Sequence, residues 1–285
     1  MTMRIEPSRA SLGATITNVS LGRLPPKDWR AIENAFHQYA LLIFPGQYLS
    51  DSEQLHFAGH FGEFEEMERG KPTLALSNRT ELGKKWGGRD DRTLFQRGNE
   101  RWHTDSSYMP VTAKASVVSA RIVPDFGAGT EWADARAAYD ELDPATRDQV
   151  CTLAAYHSYF HSQGQLGHHV KVGSNYGFDG NDLPLHPLVK VHPVTAKCAL
   201  YLGRHAFRIP GMRDDDAQIF LRRLLDFTCQ PPRLYKHRWE VGDVVVWDNR
   251  CLLHRAEPYD DKQARLLMHT RISGDRQSET ALNYR

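Results

Sequence analysis

The segment Trp102-His103-Thr104-Asp105 sets an imidazole and a carboxylate two residues apart. In an extended chain alternate side chains share a face, so His103 and Asp105 would project together and can bind one metal ion. A surface histidine beside a surface aspartate is the alternative. His254 ends the run Val244-Val245-Val246-Trp247-Asp248-Asn249-Arg250-Cys251-Leu252-Leu253-His254, an apolar strand leading to a polar corner. A structural histidine would also fit there. Together, two histidines and one carboxylate make the facial triad of non-haem Fe(II) oxygenases, which leaves three positions open for a bidentate cosubstrate and O2. The same ligands holding zinc would serve a hydrolase or lyase. Arg265 lies beyond a turn signal, Pro258-Tyr259-Asp260-Asp261. A hairpin centred between Tyr259 and Asp260 would put Arg265 directly across from His254, since cross-strand partners share a face. A guanidinium fork beside a metal suits the distal carboxylate of a dicarboxylate cosubstrate. A surface ion pair with Asp260 or Asp261 is the other reading.

The rest of the composition narrows the setting. Lys+Arg total 36 and Asp+Glu 35 among 285 residues, for a formal charge of +1. That balance argues against a nucleic-acid scaffold, which needs a concentrated positive field. No apolar run approaches the roughly 20 residues of a membrane helix, and Met1-Thr2-Met3-Arg4-Ile5-Glu6 has no apolar signal core. Cys151, Cys198, Cys229 and Cys251 are scattered with no C-x-x-C pair, which fits reduced thiols in a cytoplasm. The expectation is a cytoplasmic protein with one domain over residues 1–285 and no membrane or nucleic-acid partner. A homo-oligomer working on a small molecule is also expected. The chain's 14 histidines are its unusual feature, because histidine is the commonest metal ligand.

Elements that position these groups can be read from periodicity. Residues 25–39 read as a helix, with Trp29, Ile32, Phe36 and Ala40 at helical spacing. Residues 41–44 read as a buried strand, and Ser50 or Asp51 can cap a helix running to His60. Residues 66–101 read as one long polar loop, the expected lid, with Met67 and Asn78 as candidate linings. Short β-branched runs follow at 115–122, 187–194, 199–202, 241–247 and 265–272. Helices are expected over 133–142, then after Asp143-Pro144 as a further piece to about 150, and over 214–227. Many short strands with inserted helices suggest a β-sandwich or barrel. His157, His161, His168 and His169 are expected on the surface or in a lid, and His186 and His192 at strand edges.

The sequence resembles the taurine dioxygenase / 2,4-dichlorophenoxyacetate dioxygenase family of Fe(II)- and 2-oxoglutarate-dependent enzymes. Trp102-His103-Thr104-Asp105-Ser106-Ser107 is similar to the family's first metal motif. Gly127-Ala128-Gly129-Thr130-Glu131-Trp132 is similar to its G-G-x-T-x-[WF] segment. The runs Tyr235 to Trp239 and Trp247 to Arg255, with Ala135 to Leu142, resemble the phenoxyacetate-herbicide branch. The resemblance implies an α+β, mainly β fold: a double-stranded β-helix (jelly-roll) core with helical decoration. It implies Fe(II) on His103, Asp105 and His254, and 2-oxoglutarate carboxylates held by Thr130 and Arg265. It also implies hydroxylation of a small organic acid, an aryloxyalkanoate first and a sulfonate or alkyl sulfate second, with release of succinate and CO2. Where the family commonly carries a second arginine for the substrate anion, this chain has His269. Arg271 lies two residues on, and the hairpin register would set it against Asp248 as a structural ion pair. His205 and Arg208 are further candidate substrate contacts; the competing reading of Arg208 is a solvated surface arginine.

Overall fold

Short strands broken by turns form where the β-branched runs lie, and helices are inserted between them. The computed structural model describes residues 2–66, 70–80, 82–87, 90–170 and 183–285; Met67 lies outside them. In chain order the strands are β1 (Arg4–Pro7), β2 (Ala14–Thr17), β3 (Leu41–Phe44), β4 (Thr73–Ser77), β5 (Ala113–Ile122), β6 (Thr130–Asp134), β7 (Ala154–His157) and β8 (Leu185–Pro187). They continue as β9 (Val189–Val191), β10 (Cys198–Leu200), β11 (Ala206–Arg208), β12 (Leu234–His237), β13 (Val244–Asp248), β14 (Leu252–Ala256) and β15 (Leu266–Ser273). The helices are α1 (Pro26–Tyr39), α2 (Asp51–Gly59), α3 (Asp91–Asn99), α4 (Ala135–Asp140), α5 (Pro144–Cys151), α6 (Tyr159–Gly164), α7 (Asp214–Thr228) and α8 (Arg276–Glu279).

Seven strands form one sheet in the order β1-β2-β3-β13-β5-β15-β4, and a smaller sheet has the order β12-β6-β14. Every residue of β13 is buried, the mark of a strand covered on both faces. On one face Val117, Val244, Val246 and Ile272 pack with Ile32 and Phe36 of α1 and Phe57 of α2. On the other, Val118, Val245 and Leu267 pack with Trp132 of β6 and with Leu252 and Leu253 of β14. The fold is therefore α+β, with strands and helices of nearly equal extent among the described residues, and the small sheet lies against the inner face of the large one. Local chemistry sets the helix ends. Ser50 and Glu53 close a reciprocal capping box on α2. Asp143 caps α5 ahead of Pro144, so the helical stretch breaks at Asp143-Pro144 into α4 and α5, as the sequence leads one to expect.

Several expectations need correction. Residues 66–101 are not one loop, since they contain β4 and α3. β4 has no fully buried residue and no clean alternation; it exists because the β15 edge supplies its hydrogen bonds, Leu266 opposite Ser77 through Thr270 opposite Thr73. The hairpin placing Arg265 across from His254 does not form. β14 pairs with β6 and β15 pairs with β5 and β4, so residues 257–265 cross between sheets. Arg271 accordingly stands opposite Ser116, not Asp248. Asp248 binds Arg250 and His192 instead, at 2.6 and 3.0 Å. His157 and His168 are buried rather than at the surface, while His186 lies in the edge strand β8 and His192 directly after β9, both also buried.

Candidate active site

His103 and His254 meet through backbone pairing. The two residues form an isolated antiparallel bridge, with His103 N–H donating to His254 O at 3.0 Å and His254 N–H to His103 O at 2.7 Å. This pairing extends the small sheet by one short segment and brings together residues remote in sequence. Immediately afterwards the chain turns: Ser106 has φ +55°, so Asp105 reaches the site from a turn and not from the extended strand expected. Thr104 Oγ1 donates to Asn249 O at 2.6 Å, and Asp105 N–H donates to Asn249 Oδ1 at 3.3 Å. Asn249, in the corner between β13 and β14, thus fixes the segment that carries Asp105.

One ligand atom from each of His103, Asp105 and His254 lies within 4.8 Å of the others, and all three residues are buried. His103 Nδ1 faces Arg101 O at 2.8 Å. Its proton is assigned to Nδ1 by that acceptor, which leaves the Nε2 lone pair for a cation. Burial, reinforced by His254 and Arg204, holds His103 well below the usual imidazole range. Burial also pulls His254 down to about 4 against the pull of Asp105. Both rings are therefore neutral at pH 7, as a ligand must be. Burial would push Asp105 up, yet Arg271, His254 and His269 hold its carboxyl well below the ordinary range. Two neutral imidazoles and one buried anion fit a divalent transition metal.

The carboxylate is oriented from both sides. Arg271 Nη2 lies 3.0 Å from Oδ1, and Ser116 Oγ donates to Oδ2 at 2.6 Å. His269 Nε2 stands 3.5 Å from Oδ2, at the outer limit of a hydrogen bond. Arg271 and His269 thus face the Asp105 carboxylate, a contact that the sequence did not foretell. Trp247 stacks on His269 and tilts against His254, at ring separations of 5.8 and 4.7 Å.

A cavity of about 320 Å³ opens on this cluster, and Thr130, Arg265, His269 and Arg271 line it together with the three metal-site residues. Thr130 begins β6 and accepts a hydrogen bond from Trp239 Nε1 at 2.9 Å, which leaves its own hydroxyl hydrogen free to donate into the cavity. The turn before it needs glycine: Gly127 has φ +71°, and a Cβ there would lie 2.9 Å from Pro258 O. Arg265 precedes β15 and is buried, and its Nε has no partner. Burial lowers it to about 10, with Tyr259 opposing. The cosubstrate candidates thus share a cavity with the triad despite the mistaken hairpin.

Arg204 is the residue that sequence reasoning missed. Among the described residues, six arginines are buried. Arg136, Arg233, Arg250 and Arg271 each contact a carboxylate. Arg204 and Arg265 have none. Arg204 Nε and Nη1 have no hydrogen-bond partner, and burial pulls the group down to about 10. It sits beside the site: its N–H donates to Trp102 O at 2.9 Å, and its guanidinium packs on Gly98 of α3, where a Cβ would lie 2.1 Å from Nη1. Its guanidinium lies 5.9 Å from the Tyr159 ring centroid, and a buried cation without a counter-charge is costly, which makes Arg204 a candidate anion contact. Nothing local in Gly203-Arg204-His205-Ala206-Phe207-Arg208 distinguishes Arg204 from Arg208. His205 is buried, with Nδ1 2.9 Å from Ser162 Oγ and its ring 6.3 Å from His103. Arg208 is half exposed and paired with Asp214 at 3.1 Å, outside the cavity.

Comparison with known proteins agrees with this geometry. The (S)-phenoxypropionate/alpha-ketoglutarate-dioxygenase of Delftia acidovorans is 47% identical over 98% of each chain. The alpha-ketoglutarate-dependent 2,4-dichlorophenoxyacetate dioxygenase of Burkholderia sp. (strain RASC) is 34% identical over 92% of this chain and 91% of that one. The crystal structure of AAD-2 in complex with Mn(II) and N-oxalylglycine superposes with a TM-score of 0.90 at 34% identity, covering 99% of each chain. A family model, "Taurine catabolism dioxygenase TauD, TfdA family", matches residues 4–271. The chain belongs to the TauD/TfdA dioxygenase family.

Proposed function

We propose that this protein is an Fe(II)- and 2-oxoglutarate-dependent dioxygenase that hydroxylates an aryloxyalkanoate at the carbon bearing the ether oxygen. The observation that carries the reading is a buried His-Asp-His cluster accompanied by two buried arginines without carboxylates. One guanidinium serves the cosubstrate and the other the substrate. The relatives named for phenoxypropionate and 2,4-dichlorophenoxyacetate support an aryloxy acid. The large sheet facing the small one supports a jelly-roll core.

His103, Asp105 and His254 would hold Fe(II). When bound, the metal with O2 and 2-oxoglutarate supplies the oxidising chemistry, and 2-oxoglutarate leaves as succinate and CO2. The protein's own groups do the placing. Arg265 pairs with the distal carboxylate of 2-oxoglutarate, and the Thr130 hydroxyl donates to the cosubstrate. Arg271 keeps Asp105 ionised and fixed in rotation. Arg204 holds the substrate carboxylate, which leaves the adjacent carbon at the metal face and the aryl ring toward the cavity's apolar wall. Hydroxylation at an ether carbon gives a hemiketal, which collapses to a phenol and a 2-oxo acid.

Turnover should appear as succinate and phenol formation with Fe(II), 2-oxoglutarate and O2. The panel is the two enantiomers of 2-phenoxypropionate, phenoxyacetate and an alkyl sulfate. Absence of succinate coupled to any aryloxyalkanoate overturns the reading. Arg204→Leu is expected to lower kcat/KM for the acid by about 2–5 kcal/mol, roughly 30- to 5000-fold, because it removes one partner of a desolvated pair. The affinity for 2-oxoglutarate should not change. The neutral amide of the same substrate should lose little, so an equal loss on acid and amide would show that Arg204 does not bind the carboxylate.

A further inference from the structure

The main chain of Arg265 is held in place by a side chain just beyond another strand. Asn78 follows β4, is buried, and lines the same cavity. Its Nδ2 donates to Asp261 O at 3.1 Å and to Gln263 O at 2.7 Å. Its Oδ1 accepts from Arg265 N–H at 3.0 Å. Three backbone groups of the crossing segment thus end on one amide. The main chain of Asn78 holds a second element: Trp86 N–H donates to Asn78 O at 3.3 Å. Trp86 belongs to a strap after β4, residues 79–80 and 82–87, which folds back through an Arg79–Lys85 bridge and a Thr80 N–H to Lys84 O bond of 2.7 Å. Lys85 of the strap pairs with Asp261 at 2.6 Å, and both Lys85 and Trp86 line the cavity. The strap and the segment that carries Arg265 are therefore joined at Asn78, with Lys85–Asp261 and Arg79 Nη2 to Lys262 O beside it, and Asn78 alone also binds the Arg265 main chain.

The side-chain type matters. A carboxamide donates twice and accepts at once, whereas an ionised carboxylate of the same shape only accepts. Asp at this position would face two carbonyl oxygens. We propose that Asn78 is a positioning residue that couples 2-oxoglutarate binding at Arg265 to ordering of the strap over the cavity. The proposal rests on the reading that Arg265 binds 2-oxoglutarate. Coupling of this kind is reciprocal: a carboxylate that pins Arg265 also firms the bonds at Asn78, and an ordered strap tightens the cosubstrate.

The test uses the full chain loaded with Fe(II) and kept free of oxygen. Calorimetry gives the Kd for 2-oxoglutarate, and hydrogen exchange follows the strap. In the wild type, 2-oxoglutarate should slow strap exchange about tenfold. Asn78→Asp should weaken 2-oxoglutarate by about tenfold, the scale of one lost buried hydrogen bond, and abolish the strap protection while Fe(II) affinity holds. In turnover its KM for 2-oxoglutarate should rise with kcat within about twofold. Arg265→Leu separates the two ideas. If it weakens binding while Asn78→Asp does not, the coupling is overturned and the site reading stands. If it leaves binding intact, the site reading fails. Should Asn78→Asp not fold, the wild-type exchange decides, and a strap indifferent to 2-oxoglutarate overturns the proposal.

Discussion

Asp105→Asn is expected to abolish metal binding and, separately, to destabilise the fold. The side chain keeps its shape but loses its charge. For the metal, the anionic ligand is gone, so affinity should fall by more than the roughly 10–100-fold that loss of an outer-shell partner costs, and turnover should vanish with it. For the fold, the cost comes from Arg271. That guanidinium is buried 3.0 Å from Asp105, and Asp105 holds it above its ordinary value against the pull of burial. Neutralising the partner leaves an uncompensated buried charge, at about 3–5 kcal/mol. Glu65 reaches the same network through Ser106, whose Oγ contacts both carboxylate oxygens at 2.7 and 2.8 Å. That neighbour favours the lower end of the range. His254→Ala should also lose the metal, but it strands no charge. Metal-free melting therefore separates the effects: Asp105→Asn should melt well below His254→Ala. Adding Arg271→Met to Asp105→Asn should recover stability without recovering the metal. Equal melting of the two single variants would refute the role given to Arg271.

Acidification from pH 7.5 to 5.5 should destabilise the protein through histidines buried in the neutral form. Burial lowers His157 to about 3, with Lys190 adding to the effect. It also holds His186 and His205 well below the usual range. In the unfolded chain each titrates near 6.5. Below that value the unfolded state binds more protons, so stability is intact above about pH 7.5 and is lost as pH falls through 6.5. At pH 5.5 each such histidine costs about 1.4 kcal/mol, and the three together about 4. The two metal-site histidines act with the same sign. Glu65 opposes them: burial raises it to about 7 against Arg271 and Ser106, so protonation between 7 and 4.5 favours the folded state and returns about 2 kcal/mol. Urea titrations at the two pH values measure the balance. His157→Phe should raise stability at pH 5.5 by about 1.4 kcal/mol relative to its effect at pH 7.5. Identical pH dependence in wild type and variant would rule out His157 as a contributor.

The 14 histidines also show where sequence reasoning stops. The pair His103 and Asp105 was legible because two residues cannot part far, and the structure brings both to one site. His254 was legible because an apolar strand delivers it. Thr130 and Arg265 were legible through the resemblance, and they line the same cavity. Periodicity also gave most helices to within a few residues, since the 3.6-residue stripe is a local property. What failed was pairing. A turn signal at Pro258 to Asp261 is compatible with a hairpin and equally with a crossing between sheets, and only competition among all the strands decides between them. With β15 taken by β5 and β4, Arg271 falls to Asp105 rather than Asp248.

The same holds for charge. Whether an arginine is solvated, paired or stranded depends on which remote carboxylates the fold brings near it. Arg208 and Arg204 look alike in sequence, four residues apart. One lies half exposed against Asp214, and the other is buried without a counter-ion. The sequence by itself determined the ligand chemistry, because ligand type and short spacing are local. The tertiary structure alone decided which arginines stand without a carboxylate, because an unmet charge is a property of everything around it.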